Sequence, residues 1–233
     1  MHIVARFAFA FASCLGFAAI AQAACVDNVV LVHGNSGSPP DFDNTYVELR
    51  ARGYTDAQIL LPDWGSKTCA ACNDHSGSEE TPVANALNAA IASSCTGKID
   101  VIGHSMGVTL AAREILKLGL AAKVDTFVGI AGGYRGLYSC GIYPYNVLTP
   151  TCGSNGLSIG SPLLNGLYAK KLATREYSIK SYIDEIVCST GTCLVYGVHS
   201  SSIAGENASY TYPYYHYQLL WFTSILQADL IRN

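Results

Sequence analysis

Short apolar runs alternate with longer segments of helical period along this chain. Val29-Val30-Leu31-Val32 is a continuous β-branched run, the pattern of a strand buried on both faces. After it, Ser38 can cap and Pro39 can open a helix that runs to about Arg52, with Gly53 as its stop. Gln58 to Leu61 reads as a second strand, and Pro62 to Ser78 as a loop. An alanine-rich helix follows over Thr81 to Ser93. Ile99 to Ile102 is a strand, Ser105 to Leu118 a helix stopped by Gly119, and Val124 to Ile130 another strand. Tyr177 to Tyr182 reads as one more strand, ending at Asp184. Tyr217 to Ile231 reads as a closing helix.

Strands that alternate with helices predict an α/β fold with a mostly parallel central sheet and helices on both faces. The rhythm breaks between Gly132 and Ala173, a stretch rich in Gly, Tyr, Pro and Asn that holds two cysteines. This stretch is expected at one end of the sheet, as a lid-like segment or a wall. No repeat or linker divides the rest, so residues 24–233 read as a single domain.

The first 23 residues stand apart. Arg6 precedes the apolar run Phe7 to Ile20, and Ala21-Gln22-Ala23 fits a cleavage site, so residues 1–23 read as a secretory signal peptide. Cys25 raises a lipoprotein alternative, for which Gln22-Ala23-Ala24 is a poor context. Cleavage leaves 210 of the 233 residues, enough for a sizeable core. It removes one of the 14 basic residues and none of the 17 acidic ones, for a net charge of −4. That balance suggests neither nucleic acid nor an anionic membrane surface as partner. Half of the residues are hydrophobic and 13% are charged, which excludes a disordered chain.

Cysteine usage agrees with export, to a secreted or periplasmic location. Cys25, Cys69, Cys72, Cys95, Cys140, Cys152, Cys188 and Cys193 remain after cleavage, an even number. Short separations favour Cys69–Cys72, Cys140–Cys152 and Cys188–Cys193. Cys25 and Cys95 each stand four residues ahead of a strand start and can bridge if those strands are neighbours. Cys69-Ala70-Ala71-Cys72 has no second metal-ligand pair, so it is not read as a zinc site. No cofactor or metal cluster stands out, while a calcium site of loop carboxylates and carbonyls is left open.

The chemistry centres on Gly103-His104-Ser105-Met106-Gly107, placed between a strand and a helix. In that context G-x-S-x-G is a nucleophile elbow: a tight turn that holds the serine in a strained conformation, its hydroxyl exposed. A serine hydroxyl needs a base to take its proton and an acid to orient the base. Both are sought at the ends of later strands. Asp184 fits the acid, with Glu185 as its competitor. Asp125 lies at the wrong end of its strand, and Asp63 precedes the serine. His216, on a loop ahead of the closing helix, fits the base; His199 is the rival, and His75 precedes the serine in a polar loop. Backbone N–H groups of Met106 and Asn35 are the candidate oxyanion donors. His33 reads as a brace of its loop, and His104 as the variable position of the elbow. Tyrosines 134, 138, 143, 145, 210, 212, 214, 215 and 217 can line an apolar groove or cover the sheet end.

Val32-His33-Gly34, the Ser105 elbow, Ser181-Tyr182-Ile183-Asp184 and the late His216 together resemble the α/β-hydrolase superfamily, and within it the small secreted bacterial lipases of class 2. The resemblance spans roughly Asn28 to the C-terminus. It implies a Ser105–Asp184–His216 triad, an acyl-enzyme, and carboxylic esters of triacylglycerol type as substrate, met alone or at an interface by a monomer. A polyhydroxyalkanoate-type polyester depolymerase, a thioesterase, or a hydrolase fold that binds without turnover are the alternatives. Three features depart from the family pattern. Val108 stands where a second glycine is usual, the 132–173 stretch is added, and the segment from Asp184 to His216 is long.

Overall fold

The structure, a computed structural model, describes residues 25–232; the leader expected at 1–23 lies outside the described residues. β1 (Asn28–Val32) is buried along its whole length. Val30 and Val32 join one apolar cluster, Val29 and Leu31 a second. Successive side chains of a strand point to opposite faces, so a continuous apolar run means that both faces are covered. A 3₁₀ turn (Pro39–Phe42) leads into α1 (Asp43–Ala51), and the chain turns at Gly53, whose φ of 94° favours glycine. β2 (Ile59–Leu60), α2 (Glu80–Ser93), β3 (Ile99–His104), α3 (Met106–Lys117) and β4 (Val124–Ile130) follow, close to their predicted bounds.

The 132–173 stretch is ordered and carries elements that its composition hides. These are β5 (Leu137–Ile142), β6 (Tyr145–Asn146) and β7 (Ser158–Ile159), which form a small sheet, and α4 (Pro162–Leu167). Beyond it come β8 (Arg175–Lys180), the hairpin β9 (Leu194–Val195) and β10 (Val198–His199), β11 (Ala208–Thr211), α5 (His216–Phe222) and α6 (Ser224–Ile231). The six-stranded central sheet has the order β11-β8-β4-β3-β1-β2, with every neighbouring pair parallel. Side chains of α2, α3 and α4 join the cluster on one face; those of α1, α5 and α6 join the other.

Three elements differ from the sequence reading. β8 starts and ends two residues earlier than expected, because the Ser181 hydroxyl accepts the Ile183 N–H at 3.0 Å and turns the chain. The closing helix is two helices. At Thr223 the hydroxyl donates to the Leu219 carbonyl at 2.6 Å, and Gln227 Nε2 donates to the Leu220 carbonyl at 2.7 Å, so side chains take over the backbone ladder. β11 was not predicted: it is an edge strand of alternating exposure and polar composition, with no apolar run to mark it.

The β1–β3 register pairs Asn28 with Ile99, which brings Cys25 and Cys95 to a Cα separation of 5.9 Å. Cys69 meets Cys72, Cys140 meets Cys152, and Cys188 meets Cys193, at Cα separations of 5.3, 5.0 and 4.2 Å. The Cys140 and Cys152 pair joins β5 to the turn that precedes β7, and both residues sit in the core.

One buried acid makes stability depend on pH. Glu114 on α3 is buried, and its Oε1 has no hydrogen bond and only Lys117 at 3.8 Å. Burial and then the Glu80 charge push its pKa from 4.5 to about 7. The folded state therefore holds this proton more tightly than the unfolded chain. The associated stability is fully present below about 4.5 and is lost as pH rises through about 7. Glu114→Gln is expected to raise the melting temperature at pH 8 and to leave it unchanged at pH 4, as read by thermal unfolding at the two pH values.

Candidate active site

Parallel strands place all their C-terminal ends along one edge of the sheet, and the candidate residues follow those ends. Ser105 follows β3, the His33–Gly37 turn follows β1, Asp184 lies four residues beyond β8, and His216 comes after β11. Ser105 has φ 53° and ψ −128°, a region that a residue with a Cβ occupies at a cost of about 1–3 kcal/mol. Its N–H donates to the Ile130 carbonyl of β4 at 2.8 Å, which holds the turn.

The elbow glycines are there for close approach. A Cβ at Gly107 would overlap the carbonyl oxygens of Val32 and His33, and one at Gly103 would lie 2.7 Å from the Val108 Cα. A Cβ at Gly34 would lie 3.0 Å from the Ser105 Cβ, so the turn after β1 packs directly against the serine. Val108, the departure from the family pattern, is accommodated by absences elsewhere. A Cβ at Gly129 would lie 2.9 Å from its Cγ1, and one at Gly132 would lie 3.0 Å from its Cβ and both methyl carbons.

Asp184 and His216 are buried and bonded. His216 Nδ1–H donates to the Asp184 carboxylate, with Oδ2 at 2.8 Å and Oδ1 at 2.9 Å. Asp184 Oδ1 also accepts the N–H groups of Ile186 and Val187, both at 2.9 Å, which fixes the carboxylate. A proton on Nδ1 leaves His216 Nε2 as an acceptor. The His216 ring lies against His104, the residue before Ser105, with centroids 4.7 Å apart. His104 Nε2 donates to the His216 carbonyl at 3.3 Å, and Tyr217 flanks the His104 ring. Burial pushes the His104 pKa well down, so it stays a neutral support. This role was invisible in the motif, where position 104 is variable.

The competitors are otherwise engaged. The Glu185 carboxylate accepts the backbone N–H of His216 at 2.9 Å and so caps the start of α5. His199 is buried: its Nε2 donates to the Ser181 carbonyl at 2.9 Å and its Nδ1 accepts the Ser201 N–H at 3.1 Å. Asp125, at the opposite end of the sheet, bonds Lys98 at 3.2 Å and Arg175 at 2.7 Å. His75 lies in the loop before α2, as expected, but it is fully buried there. Its Nδ1 donates to the Asn155 carbonyl at 2.8 Å and its Nε2 meets the Thr109 hydroxyl at 2.7 Å. Burial lowers its pKa to about 4, and it ties the loop before α2 to the 132–173 stretch and to α3.

The turn after β1 is braced from below. The Trp64 backbone N–H donates to His33 Nε2 at 3.2 Å, and the Trp64 indole donates to the His33 carbonyl at 3.0 Å. The two rings stack, and burial lowers the His33 pKa. Asn35 is held through its side chain, which donates to the Ala70 carbonyl at 3.0 Å and accepts from Asn73 at 2.6 Å. Among the described residues, the backbone N–H groups of Asn35 and Met106 have no acceptor. The tyrosines divide by position: Tyr210, Tyr212, Tyr214 and Tyr217 pack against the second cluster, Tyr134 is in the core, and Tyr145 is exposed.

Two groups of metal-ligating side chains come together among the described residues. In the first, Cys188, Cys193 and His199, the sulfurs are paired with each other. The second, Asp27, Asp100 and Asp125, lies at the end of the sheet away from Ser105, and Asp125 already carries two cations. Neither bears on the serine.

Sheet order, elbow and loop positions define an α/β-hydrolase. The family model for class 2 lipases matches residues 27–227, and the chain belongs to that family of carboxylic ester hydrolases. A comparison with curated proteins found no significant match. Among solved structures, the chain is similar to Bacillus licheniformis lipase BlEst2 in its mature form (TM-score 0.67, 11% identity, 89% of this chain and 93% of that one). Aspergillus fumigatus lipase B is also similar (TM-score 0.60, 19% identity), over 89% of this chain; the match spans 53% of that longer protein. An extracellular α/β-hydrolase from a Paenibacillus species is a third (TM-score 0.55, 14% identity, 88% and 99%). At these identities the likeness concerns the fold.

The Val108 packing is testable. Gly132→Ala is expected to cost about 1–3 kcal/mol in denaturant unfolding, as for other overpacked cores. In a Val108→Gly background the same substitution should cost less than half of that, and equal costs in both backgrounds would contradict the proposed complementarity.

Proposed function

We propose that the protein is an exported serine hydrolase of carboxylic esters, with Ser105 as nucleophile, His216 as base and Asp184 as the acid that orients it. The observation that carries the reading is the buried His216–Asp184 bond at 2.8 Å, with the same imidazole packed against the elbow that holds Ser105 at φ 53°. His216 Nε2 takes the Ser105 proton as Oγ attacks the ester carbonyl. The oxyanion that forms is met by the N–H groups of Asn35 and Met106, the latter at the N-terminus of α3. Collapse passes the proton from His216 to the departing alcohol and leaves an acyl-Ser105. Water, deprotonated by His216, then releases the acid. Asp184 keeps the imidazole in the Nδ1–H tautomer throughout.

Substrates are acyl esters of lipid type, in keeping with the family. Residues 24–233 act as a single catalytic domain, with 1–23 removed on export and the eight cysteines paired as described. The apolar leader and the four cysteine pairs support export. Among the described residues no helix is long and apolar enough to cross a membrane. The 132–173 stretch is a fixed wall, since Tyr134, Leu157, Leu163 and Leu167 belong to the core and His75 and Thr151 tie it to the loop before α2.

A fluorophosphonate probe is expected to label folded protein at Ser105 and to leave Ser105→Ala unlabelled; absence of an adduct would sink the reading. His216→Ala should remove esterase activity by a factor of about 10³ or more, as loss of the base does in serine hydrolases. His199→Ala should retain activity in whatever fraction stays folded. The reverse pattern would reassign the base.

A further inference from the structure

The two stretches that set this chain apart from the smallest pattern of its family meet at one place. Ile159, Leu164 and Tyr168 of the 132–173 stretch face Val195 and Val198 of the β9–β10 hairpin across a pocket of about 370 Å³. The walls are mostly apolar, with Asn165 among them, and no carboxylate lines them. Arg135 does.

Arg135 is held in place by its own backbone and by one guanidinium nitrogen. Its N–H donates to the Ser200 carbonyl at 3.0 Å, and its Nε donates to the Ser202 carbonyl at 3.2 Å. The guanidinium lies 5.7 Å above the Tyr168 ring. Among the described residues no carboxylate pairs with it. Glu206 feels its charge, but the Glu206 carboxylate accepts the Ile203 N–H at 3.1 Å. The other donors of the guanidinium, beside a largely apolar cavity, have no acceptor among the described residues. Its planar fork matches a carboxylate, and the low-dielectric surroundings screen the attraction less than water does.

The pocket lies at the chemical end of the sheet. Ile130, whose carbonyl accepts the Ser105 N–H, precedes Arg135 by five residues, so their Cα atoms are at most about 19 Å apart. We propose that Arg135 anchors the carboxylate of an amphiphilic ligand whose apolar chain fills this pocket. The ligand is either the acid released by ester cleavage or the free acid end of an ester substrate. The second source rests on the serine hydrolase reading above; the first can be examined without turnover.

Sodium decanoate is the probe, titrated calorimetrically into the full mature protein, with decanol as the neutral control. Arg135→Gln is expected to weaken decanoate binding about 10-fold and to leave decanol binding within twofold, the loss of one charge-assisted contact. Arg135→Lys, which keeps the charge, should recover part of the affinity. Equal decanoate affinity in the wild type and Arg135→Gln, or no binding to either, overturns the proposal whether or not Ser105 is the nucleophile. A kinetic arm separates the sources. A p-nitrophenyl hemiester of octanedioic acid is compared with neutral p-nitrophenyl octanoate. If the substrate's acid end is the ligand, Arg135→Gln lowers the ratio of their kcat/KM values about 10-fold. If the released acid is the ligand, that ratio holds and only the decanoate inhibition constant rises.

Discussion

The structure turns on the contact between the elbow and the end of β1. The carbonyl oxygens of Val32 and His33 occupy the space that any side chain at position 107 would need, and Gly34 returns the favour beside Ser105. Two backbones that approach this closely bring a strained serine and a turn with unbonded N–H groups to one point. The strain at Ser105 persists because β4 and α3 hold the turn from both sides, through the Ile130 carbonyl and the seating of Val108 against Gly129 and Gly132. Trp64 and His33 then keep the turn after β1 from relaxing.

Histidine is used here in several different ways, and burial decides which. His33, His75, His104 and His199 are each buried with backbone or hydroxyl partners, His33 also beside Asp63 and Lys67, and desolvation holds each below its ordinary pKa. They are neutral struts. His216 is the one whose carboxylate partner is itself buried, and its neighbours serve that geometry: Glu185 takes its backbone N–H, His104 takes its carbonyl, and Asp184 takes Nδ1. Such a cluster positions a ring more narrowly than one hydrogen bond does.

The additions to the fold are built as structure and not as loose loops. The 132–173 stretch contributes core residues, and the Cys69–Cys72 turn leans on it through Thr151, whose hydroxyl lies 2.6 Å from the Ala70 carbonyl. The same Ala70 carbonyl accepts from Asn35. The 132–173 stretch and the candidate oxyanion loop thus meet at one carbonyl, which ties Asn35 to Thr151.

Much of this was legible in the chain. A continuous apolar run identified β1, and shorter apolar runs identified β3 and β4 although Asp100, Asp125 and Thr126 interrupt them, because strands covered on both faces stay mostly apolar. The elbow motif, the order serine, acid, histidine, and the spacing of cysteines ahead of β1 and β3 pointed to residues that the structure brings near one another. Other features could not be read. The edge strand β11 has no apolar run, and Thr223 breaks the last helix with a hydroxyl whose partner is set by packing. The support of His216 by His104 and Glu185, the room for Val108 and the unpaired Arg135 depend on which distant segments meet. Local pattern is set by burial on a face, which the sequence records at every second or fourth residue. A partner across the fold leaves no such period, so only the tertiary structure decided it.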